Sequence, residues 1–334
     1  MLAGRKTERL GHGGHRQHGF SMLEMLLTLG ILLVVTSIVM YAMVQMTATQ
    51  GSVANRTSMH SSVRSATELI QQEIGQAGKI AVPIIGGPTK MLTAITAAQI
   101  TDPVVGYTGA VVLDGATGAY NGMLLVVDTG DQEETVTVSS LVSATASFTG
   151  TFYLTHAANA PVRVAGAFAS GIIPPTATNP SDGFNLKMYG DINDDGNMVY
   201  VVYKCDRTNG NLTRGVTAFD STGNPDTSDD IILPNILNNP PDPGQTTAAP
   251  CFKYQVQSVN PDTYVVDVSV TLTVQSQNVD PQTKQLQQET KALLNVSPRN
   301  IFEGWQLASA GVANRIQPMP PTVATLASKT TMVQ

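Results

Sequence analysis

The strongest constraint in this chain is an uncharged apolar segment running from Met25 to about Met46, with a single carboxylate, Glu24, at its entrance. A secretory signal has an apolar core of roughly 7–15 residues, whereas a helix that crosses a bilayer needs about 20. Residues 25–46 number 22, which favours a span. A carboxylate is costly to place in hydrocarbon, so an acidic residue in a spanning segment points to function and calls for a cation. The stretch before it carries Arg5, Lys6, Arg9 and Arg16 and ends in Gly19, the pattern of a leader. Cutting after Gly19 would create a positive amine on Phe20, and that amine is the expected partner. Basic residues ahead of the span keep the leader in the cytoplasm and send the remainder across the membrane.

The run Gly19-Phe20-Ser21-Met22-Leu23-Glu24 resembles the prepilin processing motif of type IV pilins and type II secretion pseudopilins. Met22 departs from it slightly, standing where a threonine is frequent. The resemblance implies cleavage between Gly19 and Phe20 by a membrane-embedded prepilin peptidase, and N-methylation of Phe20. It also implies that Glu24, fifth in the mature chain, pairs with a neighbouring subunit's N-terminus during assembly. The reading set against it is an uncleaved, membrane-anchored periplasmic binding or adhesion protein with a stray glutamate.

Residues 1–19 hold four Arg or Lys and one Glu, so a net charge of −6 becomes −9 on their removal, 15 basic against 24 acidic residues. No basic nucleic-acid footprint is expected from that balance. The two cysteines, Cys205 and Cys251, both fall in the translocated part. In an oxidising compartment they read most simply as one disulfide, the alternative being two buried thiols. Residues 198–204 read as a strand ending at Cys205, and 252–257 as one starting after Cys251. Antiparallel pairing of those two strands would bring the cysteines together.

Past the span the helix should continue to about Gly78. Met59, Val63, Ala66, Ile70, Ile74 and Ala77 recur every three or four residues, opposite a face carrying Arg64, Thr67, Glu68 and Gln71. Gly75, Gly78 and Pro83 supply the stop. Gly51, costing about 1 kcal/mol against alanine, is expected to loosen the junction between the two halves. Candidate strands follow at 123–128, 134–138, 148–155, 184–189 and 198–204. In 264–274, Val266, Val268, Val270, Leu272 and Val274 alternate with polar residues, the period of a sheet with one buried face. With 252–258 before it and 284–296 after, it should form an antiparallel meander against the helix. Pro/Gly/Asn-rich stretches read as loops, and 311–334 as a loose tail.

The expected fold class is therefore α+β and pilin-like: a long N-terminal transmembrane and amphipathic helix packed on an antiparallel β-sheet head with long loops. Its parts would be a cleaved leader (1–19), a transmembrane or filament-core half-helix (20–46), an amphipathic half (47–80), a β-rich extracytoplasmic head (81–310) and a flexible tail (311–334). Within the pilins the chain resembles PilW-like minor pilins. That resemblance rests on the size of the head, on Asp191-Ile-Asn-Asp-Asp-Gly196 leading into Tyr200-Val-Val-Tyr203, on Leu212-Thr-Arg214, on Cys251-Phe-Lys-Tyr254 and on a terminal strand ending in Arg299-Asn300. J-type pseudopilins of type II secretion share much of it. The resemblance implies a structural subunit that initiates or caps pilus assembly, with roles in adhesion and twitching. Its partners would be the prepilin peptidase, other minor and major pilins and the inner-membrane assembly platform. It would sit in the inner membrane with a periplasmic head, then on the cell surface in a pilus.

Other chemistry is weaker. Asp191, Asn193 and Asp195, with Gly196, match the first half of a calcium loop, but Val202 stands where the bidentate acid belongs, and such clusters are also ordinary turns. His12, His15 and His18 lie in the leader and cannot supply a lasting metal site. His60 and His156 read as surface or packed residues. Asp128, Glu133 and Glu134 surround a Thr-Gly turn without a nucleophile or base motif, so no enzyme is expected.

Overall fold

The computed structural model describes residues 19–81, 89–115, 118–164, 166–225 and 229–333. Residues 1–18 of the leader, with its three histidines, and the stop residue Pro83 lie outside them. The architecture is α+β and pilin-like: one long N-terminal apolar helix, α1 (Met22–Gln76, 55 residues), followed by antiparallel sheets. The chain divides into two compact units, one of residues 1–54 with 280–284, the other of 55–279 with 285–334.

In the first unit α1 runs unbroken through Gly51. A Cβ on Gly51 would stand 3.0 Å from the Pro281 ring, so the glycine serves close approach of the 280–284 loop.

In the second unit the expected stripe of Met59, Val63, Ala66, Ile70, Ile74 and Ala77 is buried. It shares one core with Val201, Tyr203 and Cys205 and with Val266, Val268 and Val270. Thr67, assigned to the outer face, is instead 2% exposed. Its hydroxyl donates to the carbonyls of Val63 and Arg64, which removes the penalty for burying it. Gly78, at φ +77°, ends the helix by adopting the left-handed conformation that side chains disfavour.

The meander is formed by Phe252–Val259, Asp262–Gln275 and Gln288–Val296, all antiparallel, with Ile236–Leu237 added beside the long central strand. A second antiparallel sheet runs in the order Asp230–Pro234, Asn211–Ala218, Val199–Asp206, Asn185–Gly190. Its Val199–Asp206 strand is apolar on both faces because both are covered. Val201, Tyr203 and Cys205 face the core under α1, while Tyr200 and Val202 face a second core built with Phe148, Phe152, Leu125 and Val127. That second core carries two small antiparallel sheets, Lys90–Met91, Ala160–Val164, Leu124–Val127, Glu134–Thr137 and Tyr107–Val112, Ser147–Phe152, Ser140–Val142.

Two expectations fail at the C-terminus. The terminal strand stops at Val296, and Arg299 and Asn300 open α2 (Arg299–Ser309). The segment expected to be a loose tail is packed: Ile316–Gln317 pairs in parallel with Ala167–Phe168, and α3 (Pro321–Lys329) buries Val323, Leu326 and Ala327. Proline at the first helical turn pre-sets its backbone angle, and three apolar residues at spacings of three and one form a stripe too short to stand out among Thr, Ala and Pro.

Candidate functional site

Gly19 and Phe20 precede α1 in non-helical backbone, and the Phe20 side chain is 74% exposed. Ser21 starts the helix: its hydroxyl accepts the Leu23 N–H at 3.3 Å and its carbonyl accepts the Met25 N–H at 3.1 Å. The Gly19–Phe20 peptide bond thus lies outside the helical ladder. A Cβ on Gly19 would meet nothing within 4 Å. Glu24 falls in the first turn, where negative charge is favoured by the helix dipole, and is exposed. From Met25 to Asn55 the helix carries no charge. It contains a stretch long and apolar enough to cross a membrane, none of it buried. A face this apolar requires lipid or other helices around it.

The other sequence candidates are placed as follows. Cys205 and Cys251 are joined in a disulfide, with Cα atoms 6.5 Å apart. Their strands do not pair with each other, contrary to expectation. Val199–Asp206 pairs with its own sheet neighbours and Phe252–Val259 with the meander, so the bridge staples two sheets. What holds the two ends together is Gly183–Phe184, whose carbonyls accept the Phe252 and Cys205 N–H groups at 3.0 and 2.8 Å.

Asp191 is buried, while Asn193 and Asp195 are exposed. One Asp191 oxygen accepts the N–H groups of Asp195 and Gly196, at 3.0 and 3.2 Å, and the other accepts the Lys79 ammonium at 2.9 Å. Asp194 takes the same ammonium. The cation this loop holds is therefore a lysine, which ties the end of α1 to the Asp191 turn. Those two carboxylates hold the Lys79 ammonium above its ordinary pKa, Asp194 contributing most.

Two clusters went unrecognised in the sequence. Glu73, 3% exposed, accepts the Arg214 guanidinium, with Nε at 3.0 and 3.1 Å from its two oxygens and Nη2 closer still. The Tyr203 hydroxyl donates to it at 2.6 Å. The available signal was position: Glu73 lies three residues from Ile70 and four from Ala77, on the buried stripe. His156 is a packed residue, buried between Asp128, 3.1 Å from Nδ1, and Glu134, 2.6 Å from Nε2. Burial pulls its pKa down, but hydrogen bonds to Glu134 and then Asp128 outweigh that and raise it. Glu133 turns away to Arg163 and Arg315. Asp128, Glu133 and Glu134 are all committed to ion pairs, an arrangement that holds strands together.

Residues 14–40 match the family model described as the prokaryotic N-terminal methylation motif, which takes in Gly19, Phe20, Glu24 and most of the apolar run. No curated protein and no solved structure matches the chain. The motif, heading a long apolar helix followed by antiparallel sheets, supports a type IV pilin-like protein whose N-terminus is a substrate for prepilin processing.

Proposed function

We propose that this chain is a minor type IV pilin, a structural subunit that primes or caps a pilus together with other minor pilins. The observation that carries the reading is the placement of Glu24. It stands in the first turn of an exposed apolar helix, four residues from the amine that cleavage at Gly19 would release. Within one helix that amine and carboxylate serve best by pairing with neighbours, because pairing across subunits is an attraction that exists only after assembly. The subunit is held in the inner membrane by residues 20–46, its head exported, and is handed from the prepilin peptidase to the assembly platform. Its chemistry is assembly and not catalysis. A J-type pseudopilin of a secretion machine would use the same N-terminus, and the two roles are separated by phenotype.

The test has two arms. Mass spectrometry of the membrane-extracted protein is expected to find a chain beginning at N-methylated Phe20, and recovery of the intact leader from cells with active peptidase would refute a pilin role. Deleting the gene is expected to abolish pili and twitching while secretion continues. Loss of secretion with normal pili would assign the pseudopilin role instead.

A further inference from the structure

We propose that the loop at residues 280–284 and the outer end of the α1 span form a seat for a membrane phospholipid, with Lys284 meeting the headgroup phosphate. The proposal rests on reading residues 25–46 as a span, and concerns only the first compact unit.

Depth comes first. At a rise of about 1.5 Å per residue, Met40 stands roughly 22 Å and Met46 roughly 32 Å from Met25, against a hydrocarbon core of about 30 Å. The turns at residues 40–48 therefore straddle the outer boundary between acyl chains and headgroups. Tyr41, 69% exposed, is a residue type enriched at that boundary.

The loop is fixed at this level. Gln282 Nε2 donates to Thr49 Oγ1 at 2.8 Å, and Pro281 lies against Gly51. Asp280 turns its carboxylate inward, accepting the Gln282 N–H at 2.9 Å, and its carbonyl accepts the Lys284 N–H at 2.9 Å. Lys284 itself is exposed, held at φ +58°, a conformation that non-glycine residues adopt at a cost and therefore only where the fold demands it. Among the described residues of this unit it is the only basic side chain.

Between loop and helix lies a cleft of about 830 Å³. Its helix wall offers Met40, Met43 and Val44, and its loop side Gln282 and Lys284. The wall is apolar at Met40, Met43 and Val44, and the loop, anchored level with Thr49 and Gly51, carries the one basic side chain, which is the polarity of one phospholipid. A neighbouring apolar helix would fill the wall but leave Lys284 without an anion, which decides for lipid over a second copy of the chain. Methionine side chains suit a chain of variable shape, being flexible and polarisable.

The test uses the full chain in nanodiscs of phosphatidylcholine, with and without phosphatidylglycerol. Both native cysteines are in the disulfide, so Thr283→Cys supplies a single thiol for a spin label, and Val39→Cys a depth control. The Thr283 label is expected at headgroup depth, with a larger seated fraction in phosphatidylglycerol. Lys284→Gln should then lower the ratio of seated to free label about five-fold, the size of one lysine's attraction to an anionic surface. A Thr283 label in water in both lipids, with the Val39 label at acyl depth, overturns the seat while sparing the span. Water exposure at Val39 overturns both. Dipolar broadening between Thr283 labels places a second copy in the cleft and overturns the lipid, and a ratio unmoved by Lys284→Gln overturns headgroup recognition.

Discussion

Removing the Glu73 carboxylate should be among the most damaging single changes in the head. Glu73→Ala leaves the Arg214 guanidinium, whose side chain is 20% exposed, without its bidentate partner, and the buried Tyr203 hydroxyl without an acceptor. Breaking a buried pair from one side costs about 3–5 kcal/mol, and an orphaned buried hydroxyl about 1 kcal/mol more. Water reaches part of Arg214, so the lower end applies, roughly 4 kcal/mol in total. The assay is urea unfolding of a soluble head beginning at Ser52, with Glu73→Ala, Arg214→Ala and the double variant forming a cycle. The midpoint should fall with an unchanged slope, and melting by roughly 8 °C at about 2 °C per kcal/mol for a domain of this size. Because the second substitution removes a charge already orphaned, the double variant should be less damaged than the sum by more than about 1 kcal/mol. Glu73→Leu with Arg214→Leu should recover much of the loss, since apolar isosteres avoid desolvating two ions. Additive single effects, or a loss below about 1 kcal/mol for Glu73→Ala, would refute the claim that this pair clamps α1 to the sheet.

Stability near neutral pH should carry the signature of His156. Only the imidazolium donates from both nitrogens, and its pKa is raised, so its contribution is complete below the unfolded value of about 6.5 and fades as pH rises through the folded one. His156→Gln should flatten that slope in pH-dependent melting, and an unchanged slope would count against the pairing. Replacing Cys205 and Cys251 by serine should cost about 4 kcal/mol for a loop of this length, without affecting membrane insertion; a melting temperature equal to that of the native chain would discount the staple. Asp191→Ala should lower the melting temperature equally with calcium or chelator, because the partner it removes is Lys79; a calcium-induced rise that the substitution abolishes would restore the ion-binding reading. Glu24→Ala should be cleaved and inserted normally but crosslink less to partner pilins and appear less in sheared filaments. Unchanged filament recovery would make the carboxylate a passenger.

Local patterns were legible because their causes are local. The apolar run and its glutamate, the stripe from Met59 to Ala77 and the alternation from Val266 to Val274 follow from solvent transfer and from backbone repeats of 3.6 and 2 residues. The processing motif is legible for a similar reason, since it is a run of contiguous residues. What the tertiary structure decided are meetings between residues far apart in the chain. Glu73 finds Arg214 across 141 positions, His156 collects one carboxylate from the bend after Leu124–Val127 and one from the strand Glu134–Thr137, and the cysteines join sheets that do not pair. Lys79 pairs with the Asp191 turn, which matched only the first half of a calcium loop, and Ile316 and α3 pack by covering apolar surface made elsewhere. Such partners leave no periodic trace, because a buried charge or a short helix is stabilised by what packs against it and not by its own neighbours in sequence.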